Sequence, residues 1–322
     1  MPDGGFTLTQ AGGAPGWVAA EALAGLGAAR KSLPPKLFYD AAGCALFDEI
    51  TRLPEYYVTR TEIALLGRIA EELGALLPAG AALVEFGASD ETKARILLAH
   101  LRAPAAYVPI DIAAEGLAAL RARMRDSHPG LPVLPVAADF LAPLAPPAGI
   151  AGMPPVGFFP GSTIGNLDPA EAARFLGRAR ALLGTATGGF VVGVDLRKPE
   201  PVLRAAYDDA RGVTAAFNLN LLARLNREAA ADFELARFAH EARWNDAESR
   251  IEMHLVSLVA QTVTVAGTPI DFAEGESIHT ENSYKHSVGG FLALATRAGW
   301  QGARVWTDPA GYFAVHLLRA AG

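Results

Sequence analysis

Short apolar runs alternate with stretches of helical periodicity through the first two thirds of the chain. Five of the runs have the length of a β-strand and end at glycine, proline or acidic residues. They cover residues 82–86, 106–110, 133–138, 155–160 and 189–195. Strands that alternate with helices in this way are typical of a doubly wound parallel sheet, which binds its ligands at the carboxyl ends of the strands.

Capping signals predict where two of the helices begin. Thr59 stands three residues before Glu62, which is the spacing of a capping box, and apolar residues at helical spacing predict a helix over 59–74. Asp168 followed by Pro169 has the residue types of an N-cap and a first helical position. We therefore expect one helix to begin at Thr59 and another at Pro169.

The pattern changes over residues 198–285. Amphipathic stretches over 201–227 and 231–243 predict two helices, and apolar residues that alternate with polar ones over 251–255 predict an antiparallel strand. This segment is therefore predicted to form a subdomain inserted between two parts of the sheet domain.

The end of the chain returns to the pattern of the sheet. A helix over 287–298 is predicted before two strand-like runs, 304–307 and 312–318, which a tight Asp-Pro-Ala-Gly turn separates. We therefore predict an α/β fold with a doubly wound sheet of seven strands, which ends in a C-terminal antiparallel hairpin, and a second α+β domain. The predicted domains comprise residues 61–196 with 287–322, and residues 1–60 with 197–286.

The charge of the chain argues against a nucleic-acid partner. Its 322 residues include 28 Lys and Arg against 34 Asp and Glu, which gives a formal net charge of −6, and only five of the cations are lysines. Binding to a phosphate backbone depends on clustered cations. We therefore predict no nucleic-acid partner.

The cysteines, the histidines and the apolar runs of the sequence indicate which metal sites, disulfides and membrane segments the chain can contain. Cys44 is the one cysteine of the sequence, so neither an internal disulfide nor a cysteine-rich metal site can form within the chain. The seven histidines show no HExxH or HxH spacing, and we expect them and a buried Cys44 to be structural, with no metal site. No signal-peptide pattern begins the sequence and no apolar run approaches about 18 residues, which predicts a cytoplasmic protein without a membrane partner.

The residues after the first two strands favour one kind of cofactor. Gly87 lets the backbone approach a nucleotide closely, and Asp111, 24 residues later, can accept hydrogen bonds from ribose hydroxyls. Residues 87–92 read Gly-Ala-Ser-Asp-Glu-Thr, so the GxGxxG pattern is absent, and Asp90 and Glu91 would repel a diphosphate. S-adenosylmethionine has a positive sulfonium and no phosphate, so it suits this loop better than NAD does. The alternative is a loop glycine and a helix-capping acid with no ligand.

Six segments of the chain identify a family. They read LPPKLFYDAAGCALFDEITRLPEYYVTRTE (33–62), GSTIGN (161–166), AYDDARGVTAAFN (206–218), LNRE (225–228), RIEM (250–253) and TENSYK (280–285). Together they resemble the histidine Nα-methyltransferases, which use S-adenosylmethionine to convert L-histidine to its trimethylbetaine hercynine in ergothioneine biosynthesis. The resemblance implies a two-domain enzyme with a class I methyltransferase sheet and a substrate domain made of the N-terminal segment and the insertion. We expect this enzyme to act as a monomer.

The resemblance also implies roles for individual residues. The cofactor residues would be Gly87, Lys93, Asp111, Asp139 and Phe140. The substrate residues around the amino-acid head would be Tyr56, Asn166 and Tyr207, and these three with Tyr39 would form the catalytic set. The rest of the substrate pocket would be Met253, Glu281 and Ser283, and no metal is implied.

Methyl transfer from a sulfonium needs chiefly a neutral amine held in line with the methyl carbon. Tyrosine hydroxyls and an amide can hold an amino acid without adding charge, and aromatic faces suit the quaternary ammonium of a trimethylated product. The structural alternatives are that Tyr56 fills a domain junction, Asn166 satisfies its own loop and Glu281 is a solvated charge. The functional alternatives are an Nα-methyltransferase for another amino acid or small amine, a non-catalytic S-adenosylmethionine-binding module, and, least favoured, an NAD-linked oxidoreductase.

Overall fold

The computed structural model of the chain describes residues 16–88, 90–147 and 149–322, so Ser89 of the first loop and the N-terminal residues examined for a signal peptide lie outside it. These residues divide into two compact units. The sheet unit comprises Val58–Leu196 and His286–Gly322, and the second unit comprises the described residues up to Tyr57 together with Arg197–Lys285.

The helices and strands of the described residues follow one another along the chain. The helices are α1 (Trp17–Leu26), α2 (Ala41–Ile50), α3 (Tyr57–Leu76), α4 (Thr92–Leu98), α5 (Ala114–Ser127), α6 (Pro169–Leu183), α7 (Glu200–Tyr207), α8 (Val213–Glu228) and α9 (Val288–Arg297). The strands are β1 (Ala82–Phe86), β2 (Ala106–Asp111), β3 (Val136–Ala137), β4 (Pro155–Phe159), β5 (Gly189–Asp195), β6 (Phe238–Asn245), β7 (Arg250–Ser257), β8 (Gln261–Val265), β9 (Thr268–Phe272), β10 (Ser277–Tyr284), β11 (Trp300–Thr307) and β12 (Phe313–Ala320). Among the residues that the structure describes, each helix is too short or too polar to span a lipid bilayer.

The sheet unit contains a seven-stranded sheet in the order β11-β12-β5-β4-β1-β2-β3. Strands β1 to β5 pair in parallel, whereas β12 is antiparallel to both β5 and β11. The predicted seven-stranded sheet with a C-terminal hairpin is therefore confirmed. From β1 the strand order proceeds one way to β2 and β3 and the other way to β4 and β5, so the carboxyl ends of β1 and β4 form the topological switch point, where such sheets bind ligands.

Apolar side chains explain why these runs become buried strands. The strand β5 is buried at every residue, and four phenylalanines of the sheet unit, one of them in β5 itself, pack edge to face or tilted with ring centroids 4.4 to 6.4 Å apart. They are Phe86, Phe159, Phe175 and Phe190. Burying each such ring contributes on the order of 2 kcal/mol relative to exposure, and Phe86 and Phe159 are the last residues of β1 and β4.

Of the two predicted helix starts, one is confirmed and the other is wrong. The N-cap at Asp168 is confirmed, because its carboxylate accepts from the Glu171 amide at 2.7 Å and the Glu171 side chain completes a capping box. The start at Thr59 is wrong, since α3 already begins at Tyr57. Glu62 makes no capping contact there, because its carboxylate is fully buried and binds other parts of the sheet unit.

The second unit contains a three-stranded antiparallel sheet in the order β10-β7-β6, the β8–β9 hairpin and the helices α1, α2, α7 and α8. The strand predicted over 251–255 is confirmed as part of β7. The helix predicted over 201–227 is divided into α7 and α8, and the carboxylate of Asp209 accepts from amides in the first turn of α8.

Two expectations for the second unit are wrong. The helix predicted over 231–243 is absent from these described residues, because β6 begins at Phe238 and pairs along its whole length with β7. A short amphipathic run fits both the helical period of about 3.6 residues and the strand period of about two residues, so pairing with a neighbouring strand decides its structure. Cys44 lies on the exposed side of α2, whose buried residues are Gly43 and Ile50, so it does not fill the core as expected.

Candidate active site

The loop after β1 turns sharply at Gly87. This residue has φ +74°, a backbone conformation that side-chain-bearing residues rarely adopt, and its amide donates to the Ile110 carbonyl of β2 at 2.8 Å. A Cβ at Gly87 would lie 3.5 Å from Cε1 of Phe140. The structure therefore brings two predicted cofactor residues together, with the backbone of the first open to close approach.

Acidic residues follow β2 and β3 at the same edge of the sheet. Asp111 ends β2, where its carboxylate accepts from the Ala113 amide at 2.8 Å, and Asp139 accepts in the same way from the Leu141 amide at 2.8 Å. Burial raises the pKa of Asp111, while backbone amides of the following turn oppose the shift. The register places Asp111 beside Ala137, two residues before Asp139, so both carboxylates belong to neighbouring strand ends. Each carboxylate fixes its own turn, as the structural alternative predicts, and each lies at the carboxyl edge of the parallel strands, where such sheets bind ligands.

The segment after β4 is held in a fixed path. Gly161 and Ser162 have φ +79° and +56°, and Oγ of Ser162 accepts from the Asp195 amide at 2.9 Å. A short 3₁₀ helix, Thr163–Asn166, follows, and it places the half-buried Asn166 at its last position. Asn166 thus lies in an ordered loop at the carboxyl edge of the sheet, where function is commonly found.

An aromatic cluster gathers three of the predicted tyrosines in the second unit. Tyr56 lies 6.2 Å from Tyr207 and 6.3 Å from Phe47, measured between ring centroids. Tyr39 lies 6.1 Å from Phe47 and 6.2 Å from Phe217. Sequence reasoning named the tyrosines but missed Phe47 and Phe217, whose only signal was their position within the family segments.

A polar cluster adjoins Tyr207. Its hydroxyl lies 2.6 Å from Oγ of Ser283, and the buried Lys285 ammonium donates to Ser283 at 2.6 Å and to Tyr207 at 3.1 Å. Lys198 forms a similar buried contact, since its ammonium donates to the Tyr57 hydroxyl at 2.7 Å and lies 4.4 Å from the centre of that ring. Both lysines were missed, and the signal that could have found them was the scarcity of lysine in the sequence.

Glu281 and Met253 are cross-strand neighbours on β10 and β7. Both are buried, so the interpretation of Glu281 as a solvated charge is wrong. Burial raises the pKa of Glu281 to about 7, and the nearby Lys285 ammonium opposes that rise. The second unit therefore places a carboxyl group that can change charge near neutral pH on the same strand as Ser283.

One group in the described part of the chain has metal-binding residue types. Glu252, His254 and His279 offer ligand atoms that lie within 4.8 Å of one another on β7 and β10. The Glu252 carboxylate also accepts from Arg250 and Asn245, and burial lowers the pKa of His254 to about 4. Hydrogen bonds and an ion pair thus already engage this carboxylate.

The sequence of the chain has close relatives of known name. Residues 18–320 match the family model of histidine-specific, S-adenosylmethionine-dependent methyltransferases. A histidine N-alpha-methyltransferase of Mycolicibacterium smegmatis is 45% identical over 93% of this chain and 95% of its own length. Its counterpart from Mycobacterium tuberculosis is 42% identical over 92% of this chain and 93% of its own length.

A further relative is a longer protein. The ergothioneine biosynthesis protein 1 of Neurospora crassa is 32% identical over 61% of this chain, and the match spans 23% of that protein. The predicted cofactor, S-adenosylmethionine, is confirmed by the family match. The chain belongs to the histidine-specific, S-adenosylmethionine-dependent methyltransferases.

Proposed function

We propose that this protein transfers methyl groups from S-adenosylmethionine to the α-amino group of L-histidine, three times in succession, to form hercynine for ergothioneine biosynthesis. The observation that carries the proposal is the buried cluster of Tyr207, Ser283 and Lys285, with Glu281 on the same strand. Glu281 and Ser283 offer a carboxyl and a hydroxyl group suited to the two ring nitrogens of an imidazole, and the Tyr207 hydroxyl beside Ser283 is assigned to the amino-acid head. The named relatives, aligned over nearly the whole chain, support the same substrate.

The sheet unit fits the cofactor at the first strand end. Gly87 leaves its backbone open beside Phe140, which gives an aromatic wall suited to the adenine ring. S-adenosylmethionine supplies an electrophilic methyl carbon when it is bound. We assign the ribose hydroxyls to Asp111 and the adenine edge to Asp139 and Phe140, and we assign Lys93, on the first turn of α4, to the same site.

The tyrosine cluster fits the reacting amine. The acceptor nitrogen must be neutral to attack, and a desolvated pocket favours the neutral form of an amine. Tyr39, Tyr56 and Tyr207 offer hydroxyls without adding charge, and their ring faces attract the cation formed after the last transfer. We also assign Asn166 to the amino-acid head of the substrate.

Mass spectrometry of a reaction with purified protein, S-adenosylmethionine and each common amino acid tests the proposal. We expect gains of one, two and three methyl groups on histidine and on no other amino acid. Methylation of a different amino acid or a small amine would replace the substrate assignment. Binding of the cofactor without any product would favour the non-catalytic alternative.

We also propose that the enzyme acts as a monomer in the cytoplasm. Every residue assigned to cofactor or substrate belongs to one chain, so the assignment needs no second copy. Size-exclusion chromatography with light scattering checks the oligomeric state, and a mass near 33.7 kDa is expected.

A further inference from the structure

Glu62 carries a fully buried carboxylate in the sheet unit. One oxygen lies 2.7 Å from the ammonium of Lys93, and the Gly161 amide donates to the two oxygens at 2.8 and 3.0 Å. The carboxylate thus accepts from one cation and from one backbone amide. This use of Glu62 differs from the capping role that its distance from Thr59 predicts.

The two partners of Glu62 lie at the topological switch point of the sheet. Lys93 is on the first turn of α4, directly after the loop that leaves β1, and Gly161 follows β4 after one proline. Since β1 and β4 are adjacent strands, Glu62 joins the two loops that leave the switch point. Ligands of doubly wound sheets bind in this crevice.

Two glycines leave the room that this arrangement needs. A Cβ at Gly193 of β5 would overlap the Glu62 carboxylate, and a Cβ at Gly161 would lie 3.4 Å from the Lys93 ammonium. Burying an ion pair costs desolvation that its attraction often only offsets, so such a pair is weak evidence for a gain in stability. The two glycines nevertheless leave space for this ion pair, which indicates that it serves to hold its neighbours in position.

We propose that Glu62 is a positioning residue for methyl transfer. Its carboxylate holds the Lys93 ammonium toward the cofactor at the end of β1, and it holds the Gly161 amide at the start of the loop that carries Asn166. The proposal rests on the proposed function, because it takes S-adenosylmethionine as the ligand of this edge. Glu62 touches neither reactant and acts through Lys93 and the loop backbone.

The substitution Glu62→Gln separates the two contacts. The amide oxygen of glutamine can still accept from Gly161, whereas its NH₂ group would face the Lys93 ammonium with a second donor. We expect roughly 10- to 100-fold weaker binding of S-adenosylmethionine by calorimetry, the size of a lost charge-assisted contact, and a KM for histidine within about threefold of the parent. Glu71→Gln, an exposed change on the same helix, is the matched control and should leave both values unchanged.

A double-variant comparison distinguishes positioning from a general effect on the fold. In a Lys93→Gln background, Glu62→Gln should weaken cofactor binding by no more than about twofold further, because the ammonium that Glu62 orients is gone. The double variant carries no unpaired buried charge, and where the single Glu62→Gln variant fails to fold, a further loss of about 10-fold or more on adding Glu62→Gln to Lys93→Gln still overturns the proposal. An equal loss in both backgrounds, or cofactor binding by Glu62→Gln within twofold of the parent, would overturn the proposal.

The positioning role of Glu62 and the proposed function can be refuted independently of each other. A parent that binds S-adenosylmethionine but forms no methylated histidine would refute the proposed substrate and leave the affinity comparison for Glu62 intact. A normal parent whose Glu62 variants bind the cofactor as the parent does would refute the positioning role alone.

Discussion

The hydroxyl of Tyr207, at the end of α7, lies 2.6 Å from Oγ of Ser283 on β10. The Lys285 ammonium donates to both oxygens, and an ammonium has no lone pair with which to accept. Either hydroxyl can donate to the other. The Ser283 hydroxyl can donate to or accept from an imidazole nitrogen, and the Tyr207 hydroxyl beside it suits the amino-acid head of the same substrate.

Removal of either hydroxyl should therefore weaken histidine binding. We expect Ser283→Ala and Tyr207→Phe each to raise the KM for histidine by roughly 10-fold, since a buried polar group then loses a partner. Steady-state kinetics with saturating cofactor gives the KM, and calorimetry should show that S-adenosylmethionine binds as in the parent. Ser127→Ala on the exposed end of α5 is the control, and equal KM values for all three variants would contradict the assignment.

Much of the sheet unit could be predicted from the sequence because its signals are local. The buried strand β5 appears as a continuous apolar run, and the start of α6 depends on Asp168 and its neighbours within one turn. The prediction over 231–243 was wrong because β6 owes its structure to β7, which follows it along the chain. Pairing between strands is not encoded in the periodicity of one of them.

The candidate site was predictable to a smaller extent. Residue type and strand position indicated Gly87 and Asp111, whereas the family segments were needed for Tyr56 and Ser283. Glu62 was noticed as part of a motif and given the wrong role, because a spacing of three residues reports neither burial nor a partner 99 residues away. A side chain acts through tertiary neighbours, and these are visible only in the folded chain.

Selectivity should depend on Glu281 and Met253, which are cross-strand neighbours. A carboxylate that accepts from the ring N–H of histidine loses this partner when a hydrocarbon ring binds, and such losses can give discrimination of up to about 10⁴-fold. We expect Glu281→Ala to lower the catalytic efficiency for histidine more than that for tryptophan, and the added change Met253→Val to make room for the larger ring. The ratio of the two efficiencies is the measurement.

The control for this comparison is Glu274→Ala, an exposed change in the same unit. An unchanged ratio of efficiencies in the single and double variants would place selectivity elsewhere, with Asn282 and Tyr284 as the next residues to vary.

The activity of the parent should depend on pH through Glu281. Burial raises its pKa to about 7, so the fraction ionised increases roughly tenfold between pH 6 and pH 8. If the ionised carboxylate accepts from the ring N–H, the catalytic efficiency of the parent relative to Glu281→Gln should rise by up to roughly tenfold over that interval. Because the ratio is taken at each pH, the titration of histidine itself cancels, and a ratio that stays flat would exclude this role.

Cofactor affinity should depend on Asp111. Charge-assisted hydrogen bonds contribute about 1.5 to 3 kcal/mol each, so Asp111→Ala should weaken S-adenosylmethionine binding at least about 10-fold in calorimetry. Asp126→Ala, an exposed change on α5, controls for the loss of one negative charge. Unchanged cofactor binding together with weaker histidine binding would mean that the ribose assignment at β2 is wrong.

A second buried acid links the stability of the sheet unit to pH. Glu85 lies within β1 and accepts a hydrogen bond from the Tyr107 hydroxyl of β2. Burial raises the pKa of Glu85 from 4.5 to about 8, and the hydrogen bond from Tyr107 opposes this rise. Since the folded pKa is the higher one, the stability that the proton contributes is fully present below pH 4.5. It is lost as the pH rises through about 8.

Glu85→Gln should remove this dependence, because glutamine resembles the protonated acid and does not titrate. With about 1.4 kcal/mol for each unit of pKa shift, the parent should lose on the order of 2 kcal/mol of unfolding free energy relative to Glu85→Gln between pH 6 and pH 9. Urea denaturation at the two pH values measures the difference, and Glu115→Gln on the exposed face of α5 is the control. Parallel losses in the parent and in Glu85→Gln would show that Glu85 is already ionised in the folded chain at pH 6, with its charge compensated by its neighbours.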